Sequence, residues 1–140
     1  MHYLDTSLLV AALTPEQSTH RVQQWLARHP PESLLVSHLV ITEFSSALSM
    51  KVRTGHLDVG SKRQALATFR SMLADSLVLV PVLPEHFIDA AAFADQHTLS
   101  LRAGDALHLA VAADRPAAMC TLDRRLLEAA ATVGLETIEP

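Results

Sequence analysis

The sequence predicts an α/β sandwich built around a mainly parallel sheet. Short apolar segments alternate with longer segments of helical periodicity from end to end. Alternation of this kind builds a sheet flanked by helices. The short segments are also nearly continuously apolar rather than alternating with polar residues, as strands covered on both faces must be. Finally, 140 residues with 49% hydrophobic content suffice for a single domain, residues 1–140, with a sizeable core. Alanine and leucine dominate the composition, which leans helical. No repeat, low-complexity tract or linker divides the chain.

The elements follow in order. The strand Met1–Leu4 feeds a helix at Ser7–Leu13. A second helix, Thr19–Arg28, aligns Val22, Trp25 and Leu26 on one face. It is ended by His29-Pro30-Pro31, because proline drives the preceding residue out of the helical region. Leu34–Ser37 is a strand, and the long helix His38–Arg53 after it stops at Gly55, the residue type favoured just past a helix end. Residues 59–74 place Leu66, Phe69, Met72 and Leu73 at helical spacing. Leu77–Val82 is strand-like, and Pro84–Gln96 is a helix with proline near its start. Ala103–Ala113 is helical and apolar on every face, which predicts deep burial. Ala117–Leu122 is a strand, Asp123–Ala131 a helix and Glu136–Ile138 a last short strand.

Within this frame, Asp5, Glu43, Asp105 and Asp123 each sit in apolar sequence. Asp5 ends His2-Tyr3-Leu4, and Asp123 ends Ala117-Ala118-Met119-Cys120-Thr121-Leu122. Glu43 interrupts Leu39-Val40-Ile41-Thr42-Glu43-Phe44, and Asp105 opens Ala106-Leu107-His108-Leu109-Ala110-Val111. A buried carboxylate must be paired or bound to a metal. No set of Lys or Arg is distributed to pair all four, so a hard divalent cation is their natural occupant if the fold gathers them. Asp5 and Asp123 stand at carboxyl ends of strands, the edge where open parallel sheets bind ligands.

Each acid also has a plainer reading. On helix 38–53, Thr42, Ser45, Ser46, Ser49 and Arg53 share a polar face, and Glu43 falls outside it among Leu39, Val40, Ala47 and Met50. Lys51 breaks the apolar arc too. Gly104-Asp105 ahead of a helical run has the form of a helix cap, and Asp123 has the same form. Thr6 or Ser7 suits the cap of the first helix. His108, one turn after Asp105, reads as a packed, hydrogen-bonded histidine. Four clustered carboxylates would repel one another and hold at least one pKa high.

The net charge of −4 does not mark a nucleic-acid binder. Yet Arg102, Arg124 and Arg125 lie within three residues of Asp105 or Asp123, a candidate basic rim around an acidic centre. The one cysteine, Cys120, lies in an apolar run and reads as the reduced, buried thiol of a cytoplasmic protein. There is no secretory signal pattern and no apolar run near the roughly 20 residues that cross a bilayer, so no membrane association is expected.

These residues together resemble the PIN-domain ribonucleases, and in size the VapC-type toxins of toxin–antitoxin pairs. The resemblance runs through Tyr3-Leu4-Asp5-Thr6-Ser7 and Val36-Ser37-His38-Leu39-Val40-Ile41-Thr42-Glu43. It continues through Leu101-Arg102-Ala103-Gly104-Asp105-Ala106-Leu107-His108-Leu109-Ala110 and Thr121-Leu122-Asp123-Arg124-Arg125-Leu126. It implies a PIN-like three-layer α/β/α sandwich with the family's acids at Asp5, Glu43, Asp105 and Asp123. A supporting hydroxyl falls at Thr121, beside Thr6 and Ser7 of the first motif. It further implies Mg²⁺- or Mn²⁺-dependent endonuclease action on RNA, a homodimer, and a cognate antitoxin. For these partners, Val40, Phe44, Leu48, Leu66, Phe69 and Met72 look like apolar surplus on helices 38–53 and 59–74.

Competing classes fit less well. A receiver-type phosphotransfer domain wants paired acids after the first strand and a lysine at a later strand end, but Lys51 and Lys62 both fall in helices. A dehalogenase-like phosphatase wants aspartates two apart, and position 7 is Ser7. A non-catalytic interaction module would use the acids as caps alone.

Overall fold

The computed structural model describes residues 1–140. Five strands form one sheet: β1 (His2–Leu4), β2 (Leu34–Ser37), β3 (Val78–Val80), β4 (Ala118–Cys120) and β5 (Thr137–Ile138). Their spatial order is β3-β2-β1-β4-β5, and every pairing is parallel. The expected sheet was mainly parallel; the observed one is wholly so. Seven α-helices connect the strands: α1 (Thr6–Leu13), α2 (Thr19–Ala27), α3 (His38–Arg53), α4 (Val59–Asp75), α5 (Pro84–Ala94), α6 (Ala103–Ala113) and α7 (Arg124–Thr132). No helix is long and apolar enough to cross a membrane.

The order of strands explains the layering. The chain steps from β1 to β2 to β3 in one direction across the sheet, then returns to the other side of β1 for β4 and β5. Crossovers of a single hand put helices on one face for one direction and on the opposite face for the other. Side chains alternate along each strand to match. Leu4, Leu34, Val36 and Cys120 join the core under α1 to α4, with Val40, Phe44 and Leu48 of α3 and Phe69 of α4. Tyr3, Leu35 and Met119 point the other way, into the core shared with Leu109 of α6 and Leu126 of α7. The sheet is thereby sandwiched between two helical layers. Its direction reverses between β1 and β4, the topological switch point where such sheets open a crevice beyond the strand ends.

Three sequence expectations are corrected here. Except for β2, which matches, strands are shorter than expected, β3 above all, since Pro81 has no amide to continue the ladder. Short 3₁₀ turns at Pro31–Ser33 and His97–Leu99 precede β2 and α6. The supposed apolar surplus is core: Val40, Phe44, Leu48 and Phe69 are fully or almost fully buried, and Leu66 and Met72 pack half-buried against them. Two stacked helices over one sheet face need that many apolar residues. The large apolar side chains left exposed are elsewhere, notably Phe87 and Ile88 of α5, which are 59% and 72% exposed. Cys120 is a free, buried thiol whose pKa is pushed up to about 12 by burial and by the nearby charges of Asp5 and Glu136.

Candidate functional site

The crevice at the switch point is a cleft of about 610 Å³ lined by Thr6, Ser7, Glu43, Asp105, Leu122 and Asp123 among others. Asp5 follows β1 and lies beneath it, only 6% exposed. Its Oδ1 accepts a 2.6 Å hydrogen bond from Ser7 Oγ. Ser7 Oγ in turn accepts from the Leu122 amide at 3.0 Å, which ties the segment after β4 to the one after β1. Thr121 Oγ1 lies 3.4 Å from Ser7 Oγ. Thr121 Oγ1 also accepts from the Asp123 amide at 2.9 Å. The hydroxyls of Thr6 and Ser7 therefore do not cap α1; carboxylates close by are the stronger acceptors and take both protons.

Glu43 enters from α3, half-buried, and is met by α6 from the opposite layer. Its Oε2 accepts from the Thr6 hydroxyl and lies 2.7 Å from His108 Nε2. His108 is the packed histidine its sequence context suggests, with Nδ1 2.8 Å from Tyr3 Oη. Burial works against the Glu43 charge, but the hydrogen bond and charge of His108, with the Thr6 hydroxyl, outweigh it and lower its pKa.

The remaining acids flank the cleft at helix starts. Asp105, in the first turn of α6, accepts a 3.3 Å contact at Oδ2 from the Arg102 amide. Its pKa is raised, by burial first and then by the charges of Asp123 and Glu43 against the pull of the Arg102 amide. Asp123 caps α7: its Oδ1 accepts from the amides of Arg125 and Leu126 at 2.8 and 3.3 Å. Capping uses one oxygen and leaves the other free, so the cap reading and the site reading are both compatible with this geometry. Asp5 also has a raised pKa, through burial opposed by Ser7, His108 and Thr121.

No Lys or Arg forms an ion pair with any of these acids. Arg102, Arg124 and Arg125 are exposed beside the cleft but do not line it. Lys51, the irregularity on the apolar arc of α3, pairs with Glu16 at 2.6 Å. Glu16 lines the cleft too; no local pattern points to it, and the misplaced Lys51 is the only clue.

As donors, the set is all oxygen, which suits Mg²⁺ or Mn²⁺. Oε1 of Glu43, Oδ1 of Asp105 and Oδ2 of Asp123 accept no hydrogen bond from the protein. The side chains are not closed into a ready shell, however, and no three His, Cys, Asp or Glu stand close enough to form one. Mg²⁺ keeps several of its waters and takes one or two carboxylates directly, so a splayed oxygen set still fits it.

Gly104 shows how tightly Glu43 is seated. A Cβ at this position would lie 2.7 Å from Glu43 Oε1. The glycine is required by that close approach, since its φ is not positive. Gly104→Ala is expected to displace the Glu43 carboxylate and to lower stability only modestly, by about 1 kcal/mol, as the loss of its hydrogen bonds is partly offset by helix propensity. A crystal structure and thermal melt of the variant check both. A large loss of stability with Glu43 in place would contradict it.

VapC20 of Mycobacterium tuberculosis, a sarcin–ricin loop cleaving toxin, is similar over 100% of both chains, with 19% identity and a TM-score of 0.76. FitAcB from Neisseria gonorrhoeae matches over 99% of this chain and 97% of its own, with 19% identity and a TM-score of 0.70. VapBC2 from Rickettsia felis, solved with a promoter DNA fragment, matches over 99% and 100%, with 17% identity and a TM-score of 0.68. At such identities the likeness is one of fold. No curated protein matches by sequence. The PIN domain profile, by contrast, matches residues 2–132, and the chain belongs to the PIN domain family.

Proposed function

We propose that the protein is a divalent-metal-dependent endoribonuclease, the toxin of a toxin–antitoxin pair. The observation that carries this is that Glu43, Asp105 and Asp123 line the switch-point cleft, with Asp5 buried behind Ser7, and none of the four has a Lys or Arg partner. Membership of the PIN family supports the nuclease class. VapC20, a toxin that cleaves the sarcin–ricin loop, supports an RNA substrate by analogy. FitAB and VapBC2, each solved with DNA, support a cognate antitoxin as partner. A homodimer and a cytoplasmic location complete the proposal.

In this reading Asp5, Asp105 and Asp123 hold Mg²⁺ or Mn²⁺, directly or through its waters, and Glu43 takes part through the oxygen His108 leaves unbonded. When bound, the metal supplies an activated water and neutralises charge developing on the phosphate. Ser7 and Thr121 fix Asp5 and the segment after β4. Arg102, Arg124 and Arg125 supply phosphate contacts on the rim, which would make binding weaken with salt. Competing phosphotransfer chemistry lacks its lysine: Lys51 is paired with Glu16, and Lys62 donates to Ser49.

The test is RNA cleavage by the purified protein with Mg²⁺ or Mn²⁺ and with EDTA. The reading requires cleavage with metal, leaving 5′-phosphate and 3′-hydroxyl ends, and none in chelator. Full activity in EDTA, with cyclic phosphate ends, would place the chemistry on the RNA 2′-hydroxyl instead.

A further inference from the structure

Behind Glu43 runs a row of polar side chains with no part in holding a metal or touching RNA. Ser37, at the end of β2, is fully buried, and its Oγ accepts a 2.9 Å hydrogen bond from Tyr3 Oη. Tyr3, in the central strand β1, is also fully buried. Its Oη lies 2.8 Å from His108 Nδ1, and the two rings meet edge to face with centroids 5.8 Å apart. His108 is 2% exposed, and its Nε2 lies 2.7 Å from Glu43 Oε2. The row thus crosses β2, β1, α6 and α3 and ends at one atom on the cleft.

Packing alone does not account for it. A leucine and a phenylalanine would fill the places of His108 and Tyr3 without burying polar groups, and each buried polar group is costly unless bonded. Here the bonds run in series, so each ring is fixed by the next. Glu43 Oε2 is a carboxylate oxygen and can only accept, so His108 Nε2 donates to it, while Tyr3 Oη sits between Ser37 Oγ and His108 Nδ1. Glu43 would otherwise be a long side chain with free rotors at a cleft edge. Gly104 closes the other side, admitting Oε1 where any Cβ would collide.

We propose that His108 is a positioning residue for Glu43: braced by Tyr3 on Ser37, it holds one carboxylate oxygen so that the other is fixed at the cleft. Its catalytic consequence rests on the nuclease reading above, whereas the brace itself does not. The role resembles that of outer hydrogen-bond partners that orient metal ligands, whose loss lowers activity by about 10–100-fold.

Two experiments on the full chain separate the possibilities. The first is NMR of the histidine ring N–H groups. The His108 resonances should exchange slowly and should shift or disappear in Glu43→Gln and in Tyr3→Phe. No change in either variant overturns the brace, whatever the protein's substrate. The second uses metal-dependent RNA cleavage. His108→Leu should lower kcat by about 10–100-fold with little change in KM, and His108→Gln, whose amide can donate to Glu43, should recover a substantial part. In a Glu43→Gln background, His108→Leu should cause no further loss. A His108→Leu variant at full rate, or an equal loss in both backgrounds, overturns the proposal. So does a His108→Gln variant no better than His108→Leu at the same melting temperature. If the wild type cleaves no RNA, the nuclease reading fails, and the NMR result still decides whether His108 braces Glu43.

Discussion

Asp5→Asn is expected to stop RNA cleavage while making the metal-free protein slightly more stable at neutral pH. Asp5 is almost completely buried, and burial raises its pKa despite the hydrogen bond from Ser7. The folded state therefore holds this proton more tightly than the unfolded chain. Between the unfolded value, about 3.9, and the raised folded value, stability falls as pH rises. Above that window the ionised carboxylate is a buried charge that opposes folding. Asn keeps the shape, and its Oδ1 still accepts from Ser7, while the charged second oxygen becomes a neutral amide donor. A gain of about 1 kcal/mol is expected, the usual exchange of function for stability at a strained site. The gap in melting temperature should close as pH falls below about 4, where the wild-type carboxyl is protonated in both states. Activity should drop by roughly 10²–10³-fold, because a neutral amide is a poor Mg²⁺ ligand and several kcal/mol of charge stabilisation go with it. Melting curves against pH and cleavage assays check the two halves. A variant less stable at pH 7 would show that the Asp5 charge is needed for the fold.

Asp105→Asn separates capping from chemistry. The only hydrogen bond to Asp105 is the long 3.3 Å contact from the Arg102 amide, which an asparagine oxygen can also accept. Removing the charge relieves burial and repulsion from Asp123 and Glu43, the causes of its raised pKa. The metal-free melting temperature should therefore hold or rise, and cleavage should be lost. Mg²⁺ should stabilise the wild type through binding linkage, by about 2.7 kcal/mol at a hundredfold excess over Kd. The Asn variant should gain much less. If instead it melts well below the wild type without metal and still cleaves RNA, Asp105 is a helix cap and nothing more.

Much of the architecture was legible because its signals are local. Helices α3 and α6 begin and end where the pattern put them, after Ser37 and Arg102 and before Thr54 and Asp114. Apolar runs located β1 to β4, though for all but β2 they overstated strand length because apolar flanks such as Leu77 and Val82 pack without pairing. The exposed apolar surface was misplaced, since periodicity gives the apolar face of a helix and not whether another helix covers it. At the cleft, sequence identified the acids but not their partners. Glu43 with His108, Tyr3 with Ser37 and Lys51 with Glu16 are pairs joined across 65, 34 and 35 positions, distances over which no local pattern operates. The raised pKa values were anticipated from like-charge repulsion. For Asp105 burial is the larger cause, and for Asp5 it is the only one that raises the pKa.

The most direct measurement is the anomalous difference density of crystals soaked in Mn²⁺, for the wild type and for Asp5→Asn. The account predicts a peak in the cleft, within coordinating reach of at least two among Asp5, Glu43, Asp105 and Asp123, that is lost or much weakened in the variant. A wild-type crystal in excess Mn²⁺ with no peak among these carboxylates, or a peak equally strong in Asp5→Asn, would contradict it.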